Sequence, residues 1–232
     1  MSQPDDQNAF ESKVNLKHVV LTIILLSLLL FRPLLPSAVI DSIFLPTIIV
    51  AAWLAGGKTR RGLIVTVILG LVAFGLLVFD IVAHEKLRTM MHQPRGLIVG
   101  AIVLFLFIYC GGVILHSLFK AERVFVNEII GTFNIYLIMG YAWSYAYLIL
   151  ELFSPGSFLP LDSVPPHSVR FIYFSFITLT TVGFGDTIPA TPLAETLVIF
   201  EAIIGQFYVA VVVAYLVAMY ITHEIEANRK KD

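Results

Sequence analysis

The sequence contains little charge and a single cysteine. Lysine, arginine, aspartate and glutamate together make up 13% of the 232 residues, and the formal net charge is -1. A nucleic-acid-binding surface needs an excess of positive charge, so this balance argues against a nucleic-acid partner. Cys110 lies within an apolar run. Because no second cysteine is present, an intrachain disulfide is excluded, and we expect Cys110 to have a packing role.

Patterns typical of catalysis and metal binding are also missing. The six histidines are scattered near the ends of apolar segments, without the spacing of metal ligands. No nucleophile and base stand together, so the sequence predicts no enzyme and no resident cofactor. It also lacks an internal repeat and a midplane ion-coupling group, which argues against a coupled transporter.

Apolar residues dominate the composition. They make up 58% of the chain, and the mean hydropathy is +0.90, which a soluble domain of this length could not bury. Six segments reach or approach the ~20 residues that cross a bilayer. They are 19–31, 37–55, 63–83, 97–119, 129–153 and 193–221. The predicted fold class is therefore an all-α integral membrane protein with six transmembrane helices.

The first segment is short enough to be the core of a signal peptide. However, Arg32-Pro33 follows it and no cleavage site is obvious, so we favour an uncleaved helix. With the N-terminus inside, ten of the 15 Lys and Arg residues fall on the inner side of the membrane. The sequence thus predicts a multi-pass protein of the plasma or inner membrane, with both termini cytoplasmic.

A glycine-rich motif lies in the loop between the fifth and sixth segments and reads Thr180-Thr181-Val182-Gly183-Phe184-Gly185-Asp186. Glycine adopts positive φ without a steric penalty. Alternation of left-handed and ordinary backbone can turn successive carbonyl oxygens to one side, which a strand does not do. A narrow tube of carbonyl oxygens, with the Thr181 hydroxyl at one end, can replace the hydration shell of a monovalent cation.

The surroundings of this motif are those of a re-entrant loop. Residues 168–179 before it are apolar, contain no glycine or proline, and are too few to span the bilayer. The loop 154–167 contains four prolines and one glycine, and Ile188-Pro189 and Thr191-Pro192 mark another turn after the motif. The chain is therefore expected to enter the membrane from the outside and return to the same side.

With these neighbours, the motif resembles the selectivity filter of potassium channels. The resemblance covers residues 124 to about 228 and implies an outer helix, a turret, a pore helix, a filter and an inner helix. The pore domain would occupy 124–232, preceded by a cytoplasmic tail at 1–17 and a four-helix membrane domain at 18–123. No cytoplasmic ligand-binding domain is expected in the chain, because only about ten residues follow the last span.

The resemblance also implies a function and an assembly. The filter would run from Thr181 to Gly185, with Thr180 as a support. One loop supplies a quarter of a closed ring, so four identical chains would assemble in the bilayer around permeant potassium. The ion-coordinating residues would be Thr181, Val182, Gly183 and Phe184.

The motif departs from the usual pattern near the filter. Phe184 stands where tyrosine is more usual, which removes a hydroxyl that elsewhere ties the filter to its pore helix. Tyr173 and Phe174 replace a Trp pair, and Ile177 replaces a Glu that some relatives pair with the filter Asp. The Tyr173 hydroxyl is then the nearest candidate donor to Asp186. If loss of the Phe184 hydroxyl loosens the filter, the alternative is a nonselective monovalent cation channel; a transporter with a filter-like loop is less favoured.

Gating features are sparse. Gly205 lies where the inner helix of potassium channels commonly carries a hinge glycine, and Gln206, Val209 and Val213 follow at helical spacing, which predicts a cavity-lining stripe. The first four spans match a voltage sensor only in number, because the segment 97–119 contains no Arg or Lys.

Three carboxylates lie inside predicted spans. Asp41 and Asp80 fall in the second and third spans, where we expect pairing with Arg32, His84 or Lys86. Glu201 lies four residues before Gly205. It could be protonated, or could hydrogen-bond Ser175 or Thr178 behind the filter, and we favour a structural role over proton sensing. The remaining residues of these spans give no further functional indication.

Overall fold

Five helices make up most of the described part of the chain. The computed structural model describes residues 16–31, 34, 64, 68, 75, 92–119, 126–160 and 167–229. Within them, the elements are α1 (Leu16–Phe31), α2 (His92–Phe119), α3 (Val126–Phe153), β1 (Phe158–Leu159), α4 (His167–Leu179), β2 (Ile188–Pro189) and α5 (Pro192–Arg229). The predicted second span, nearly all of the third, and the carboxylates Asp41 and Asp80 lie outside these residues.

Three of these helices are long and apolar enough to cross a membrane. The stretches are Gly96–His116 in α2, Glu128–Phe153 in α3 and Pro192–Val212 in α5. The helical fold class predicted from the composition is thus confirmed for the described residues, and three helices agree with a membrane protein, whereas the number of six spans stays a prediction. Helix α1 has 16 residues and α4 has 13; at ~1.5 Å per residue, α4 reaches only part of the way through the hydrocarbon core.

Helix α3 lies at the centre, with α1, α2, α4 and α5 all packed against it. Glycines bring α2 close to α3: a Cβ added at Gly96 would lie 3.0 Å from Leu152, and one added at Gly100 would lie 3.1 Å from Ile149. Small residues are a common way for membrane helices to approach each other, since dispersion contacts replace the hydrophobic effect as the main attraction.

Helix α1 packs on α3 through both apolar and polar contacts. Leu21 and Leu25 are buried in the same cluster as the α2 and α3 core. The Asn134 amide of α3 donates to the His18 carbonyl at 3.0 Å and accepts from the Thr22 hydroxyl at 2.8 Å. Since Asn134 is fully buried, α1 satisfies a polar group that would otherwise be costly in an apolar environment.

A small two-stranded sheet, which the sequence did not predict, closes the outer loop. Strands β1 and β2 pair antiparallel, so the segment before α4 is joined to the segment after the motif. Glu151, at the end of α3, accepts hydrogen bonds from the backbone N–H groups of Gly156 at 2.7 Å and Phe158 at 3.2 Å. Both ends of the loop that carries α4 and the motif are thereby held beside the C-terminal end of α3.

Helix α5 begins with an N-cap. The Thr191 hydroxyl accepts from the Ala194 N–H at 3.4 Å, and Pro192 occupies the first helical position, where a missing N–H has no cost. The helix then continues for 38 residues without interruption. Its first half therefore runs directly alongside α4 and the motif.

Candidate functional site

The motif begins where α4 ends in a Schellman C-cap. The Thr181 N–H donates to Thr178 O at 2.9 Å, and the Val182 N–H donates to Ile177 O at 2.9 Å, which is the paired pattern of this cap. The Gly183 N–H also donates to Ile177 O, at 3.1 Å. The cap fixes the exit direction of the chain, so the motif starts from a defined backbone position.

The motif backbone alternates between positive and negative φ. The φ values of Thr181, Gly183 and Gly185 are 61°, 51° and 74°. The residues between them, Val182 and Phe184, do not have positive φ. The first value is unusual for a β-branched residue and costs roughly 1–2 kcal/mol. Such strain is typical of functional sites. The alternation has the geometry that can bring successive carbonyl oxygens to one side.

The outer end of the motif is clamped by Arg170 of α4. Its Nε donates to the Thr187 hydroxyl at 2.6 Å, and its Nη2 donates to the Asp186 carbonyl at 2.5 Å. The Arg170 guanidinium lies 3.8 Å from the Asp186 carboxylate, and both side chains are partly exposed, so the charge attraction itself contributes little. The pKa of the Tyr173 phenol is raised, first by desolvation and then by the nearby Asp186 carboxylate, so the two side chains lie close together.

The inner end of the motif is supported by α3. The Tyr136 hydroxyl donates to the Leu179 carbonyl at 3.2 Å, and the Thr180 hydroxyl donates back to Phe176 O at 2.6 Å. The Phe176 ring lies directly on Gly140, where an added Cβ would lie 2.6 Å from its Cζ. The position of α4 is therefore set by close contact with α3 as well as by the cap.

Glu201 of α5 forms a buried polar cluster with α3 and α4. Its side chain is fully buried and receives a hydrogen bond from the Tyr147 hydroxyl. The Ser175 hydroxyl lies 2.5 Å from Glu201 Oε1 and 2.7 Å from the Gly140 carbonyl. Of the two candidate partners named from the sequence, Ser175 is the one in contact, because the Thr178 hydroxyl donates to Phe174 O instead.

The proposed gating residues lie on α5 just beyond this cluster. A Cβ added at Gly205 would lie 2.8 Å from Leu179 Cδ1 and 3.3 Å from Leu179 O. Gln206 and Val209 are exposed, whereas the side chain of Val213 lies outside what the structure describes. The glycine thus permits close contact between α5 and the end of α4.

Sequence reasoning missed several residues of this site. Arg170 was counted only as an outer charge, although a lone cation in an apolar helix, sixteen residues before Asp186, is a signal that could have drawn attention to it. Tyr147 was not among the candidate site residues, but its hydroxyl contacts Glu201. Among the described residues, no group of His, Cys, Asp and Glu could hold a metal ion.

The comparisons with known proteins agree with this architecture. Residues 102–222, slightly more than half of the chain, match the family model described as Ion channel. A curated relative is the inward rectifier potassium channel Kirbac3.1 of Paramagnetospirillum magnetotacticum, 34% identical over 101 residues, which are 42% of this chain and 30% of the relative. The chain thus matches less than a third of that relative's length. No solved structure gives a significant match.

The matched range begins within α2 and contains α3, α4, the motif and most of α5. Three of these helices are apolar enough to cross a membrane, as a membrane channel requires. The chain therefore belongs to the ion channel family, with a pore region of the potassium channel kind.

Proposed function

We propose that four copies of this chain form a potassium-selective channel that conducts passively down the electrochemical gradient. The observation that carries this proposal is the alternation of positive φ at Thr181, Gly183 and Gly185. Carbonyl oxygens turned to one side by this alternation, together with the Thr181 hydroxyl, coordinate a dehydrated potassium ion. Potassium acts here as the permeant ion rather than as a resident cofactor.

The surface around the motif supports assembly of several copies. Val182 and Phe184 are 52% and 70% exposed within one chain, so their side chains have little cover from their own protomer. The neighbouring face of α5 also exposes large apolar residues, including Phe200, Ile203 and Phe207. Fourfold symmetry places the motif on the axis and lets adjacent protomers cover these side chains.

The orientation follows from the distribution of basic residues. With both termini in the cytoplasm, the loop between α3 and α5 faces the outside of the cell membrane, and α4 points inward from it. The Arg170 clamp then lies at the outer mouth of the pore and the Schellman cap at the inner end of the filter. This arrangement makes the part of α5 beyond Gly205 the lining of an inner cavity.

The test is electrical recording from purified protein in planar bilayers. With potassium alone, the reversal potential of a selective channel shifts by about 59 mV per tenfold concentration ratio, and replacing potassium by sodium on one side shifts it strongly. Light scattering of the detergent-solubilised protein measures the number of copies. Absence of a steady current, or a particle of fewer than four chains, contradicts the proposal.

A nonselective cation channel is the second candidate, favoured by one observation. Phe184 carries no hydroxyl and is 70% exposed, so its side chain contributes no hydrogen bond to filter rigidity. The same recordings separate the two functions, because a nonselective channel has a reversal potential near zero when sodium replaces potassium. The Phe184→Tyr variant then distinguishes loss of the hydroxyl from other causes.

A further inference from the structure

Glu201 stands apart from the other described acidic residues because it is fully buried, within the membrane-crossing part of α5. Its carboxyl group contacts hydroxyls from two other helices, Tyr147 of α3 and Ser175 of α4. The Ser175 hydroxyl also contacts the Gly140 carbonyl at 2.7 Å. Four polar groups on three helices therefore form one connected chain of three hydrogen bonds.

The number of protons in this chain is set by chemistry. Each hydrogen bond between two oxygens requires one proton, and the Gly140 carbonyl has none to give. The Ser175 hydroxyl supplies one proton, which the carbonyl contact uses, and the Tyr147 hydroxyl supplies another to Glu201 Oε2. The contact between Ser175 Oγ and Glu201 Oε1 is 2.5 Å long, the length of a short O–H···O bond with a proton of its own, so it needs a third proton. Glu201 itself is the remaining source.

We propose that Glu201 is a neutral carboxylic acid that donates its proton to Ser175 and thereby fixes the inner helix to the back of the pore helix. The carboxyl proton lies on Oε1, the Ser175 proton points to the Gly140 carbonyl, and the Tyr147 proton points to Oε2. Glu201 is a positioning residue in this scheme: it acts on the filter through α4 and does not touch the ion path.

The electrostatic surroundings agree with a neutral acid. No salt bridge to Glu201 is found among the described residues, and two charged residues of the helices packed against it, Arg170 and Glu151, are engaged elsewhere. Arg170 of α4 is bound to Asp186, and Glu151 of α3 accepts two backbone N–H groups. The titratable groups that face Glu201 from α3 are the phenols of Tyr136 and Tyr147. An ionised carboxylate here has no cation to offset the cost of burial.

Glu151 gives an internal contrast. Its two oxygens accept from the Gly156 and Phe158 N–H groups, so the donors already supply every proton that its contacts need. The same count that requires a proton on Glu201 therefore requires none on Glu151. Replacement of each residue by glutamine distinguishes them. At Glu201, the amide NH₂ can donate a hydrogen bond as the carboxylic acid does, whereas at Glu151 the NH₂ would face a backbone N–H, which is also a donor.

The position of the Glu201 contact explains why it matters for the filter, if the loop conducts as proposed. Ser175 lies four residues before Leu179, and Glu201 lies four residues before Gly205, which itself contacts Leu179. One helical turn along both helices thus leads from the polar contact to the close apolar contact. The two contacts together fix the rotation of α5 against α4.

The first experiment is infrared spectroscopy of purified protein in vesicles of uncharged lipid at neutral pH. Wild type is expected to absorb at the C=O stretch of a protonated carboxylic acid, and Glu201→Gln is expected to lose that band while its carboxylate absorption stays unchanged. Glu195→Gln is the matched control, since Glu195 is exposed in the first turn of the same helix and should lose only carboxylate absorption. Loss of carboxylate absorption in Glu201→Gln overturns the proposal.

The second experiment measures assembly. Glu201→Gln is expected to keep the wild-type resistance of the oligomer to denaturant. Glu201→Leu leaves the Tyr147 hydroxyl without its acceptor and the Ser175 oxygen without its donor, and should lower the assembled fraction by about tenfold. If Glu201→Gln assembles as poorly as Glu201→Leu, the proposal fails. Neither measurement uses an ion gradient, so an absent current bears on the proposed function alone, and an absent acid band bears on this inference alone.

Discussion

The close approach of Phe176 to Gly140 predicts a specific effect of one added methyl group. In Gly140→Ala, the new Cβ would lie 2.6, 2.8 and 2.9 Å from three atoms of the Phe176 ring, which is closer than van der Waals contact allows. The ring also packs against Tyr141 in a T-shaped contact, with ring centroids 5.8 Å apart, which limits its movement. Relief of the clash therefore requires a shift of α4 relative to α3.

The change in the free energy of unfolding in Gly140→Ala is the sum of two opposing contributions. Overpacking of this kind costs about 1–3 kcal/mol, while alanine favours the helix over glycine by about 1 kcal/mol. Gly112→Ala in α2 is the matched control, since no atom lies within 4 Å of its added Cβ and only the helix term applies. The difference between the two variants should thus be about 1–3 kcal/mol per chain, with each 1.4 kcal/mol changing the ratio of folded to unfolded protein tenfold.

The assay is the denaturant midpoint of the assembled protein in detergent, together with single-channel conductance in bilayers. We expect a lower midpoint and altered conduction for Gly140→Ala, and neither for Gly112→Ala. Phe176→Leu removes the ring and should cost less in the Gly140→Ala background than in wild type, since the two sites are coupled. Equal midpoints for the two alanine variants, or equal costs of Phe176→Leu in both backgrounds, would refute the reasoning.

Four further predictions concern the filter, the first helix, the inner helix and voltage. Gly183→Ala adds a Cβ at a φ of 51°, which costs roughly 1–2 kcal/mol per chain. This variant should have a lower potassium-to-sodium permeability ratio, measured from reversal potentials, and an unchanged ratio contradicts the filter assignment. Asn134→Leu removes two hydrogen bonds to α1 and should lower the unfolding free energy by about 1 kcal/mol, measured as a lower denaturant midpoint. An unchanged midpoint shows that α1 is held by apolar contacts alone. Tyr208→Phe removes the 2.7 Å hydrogen bond to the Thr132 carbonyl. Since such a bond contributes about 0.5–1.5 kcal/mol, the variant should raise the open probability about two- to tenfold. A lower open probability would mean that this bond does not restrain opening. Activation by voltage should be shallow, because a mobile charge is worth ~2.3 kcal/mol per 100 mV and the fourth predicted span has no Lys or Arg; steep tail-current activation with several effective charges is the contrary result.

Helix positions could be predicted from local features of the sequence. The inner helix was predicted to begin at Leu193, and α5 begins at Pro192, directly after the Thr191 cap. The pore helix was predicted to end at Leu179, and α4 ends there because Thr181 adopts the left-handed conformation that closes the cap. Apolar length, proline and glycine act over a few residues, so a sequence displays them directly.

The contacts that hold the site could not be predicted in this way. Tyr147 and Glu201 are separated by 54 positions, and Asn134 and Thr22 by 112. Which side chains meet depends on the rotation and depth of each helix, and those are set by packing rather than by hydropathy. A buried Asn or Tyr in a span reveals that a partner is needed, but the sequence does not identify that partner.

Gly205 shows both kinds of information, the local sequence feature and the contact between distant residues. Its position alone suggested a hinge, whereas the structure adds that its missing side chain permits contact with Leu179, the last residue of α4. On the outer side of Gly205, the Glu201 cluster ties α5 to two helices; on its inner side, the Tyr208 hydroxyl makes a single bond to α3. A bend of α5 at Gly205 would therefore break the Tyr208 bond while the Glu201 cluster stayed in place. Because the Tyr136 hydroxyl also holds the Leu179 carbonyl, the end of α4 would keep its position during such a bend, as the proposed gating at Gly205 requires.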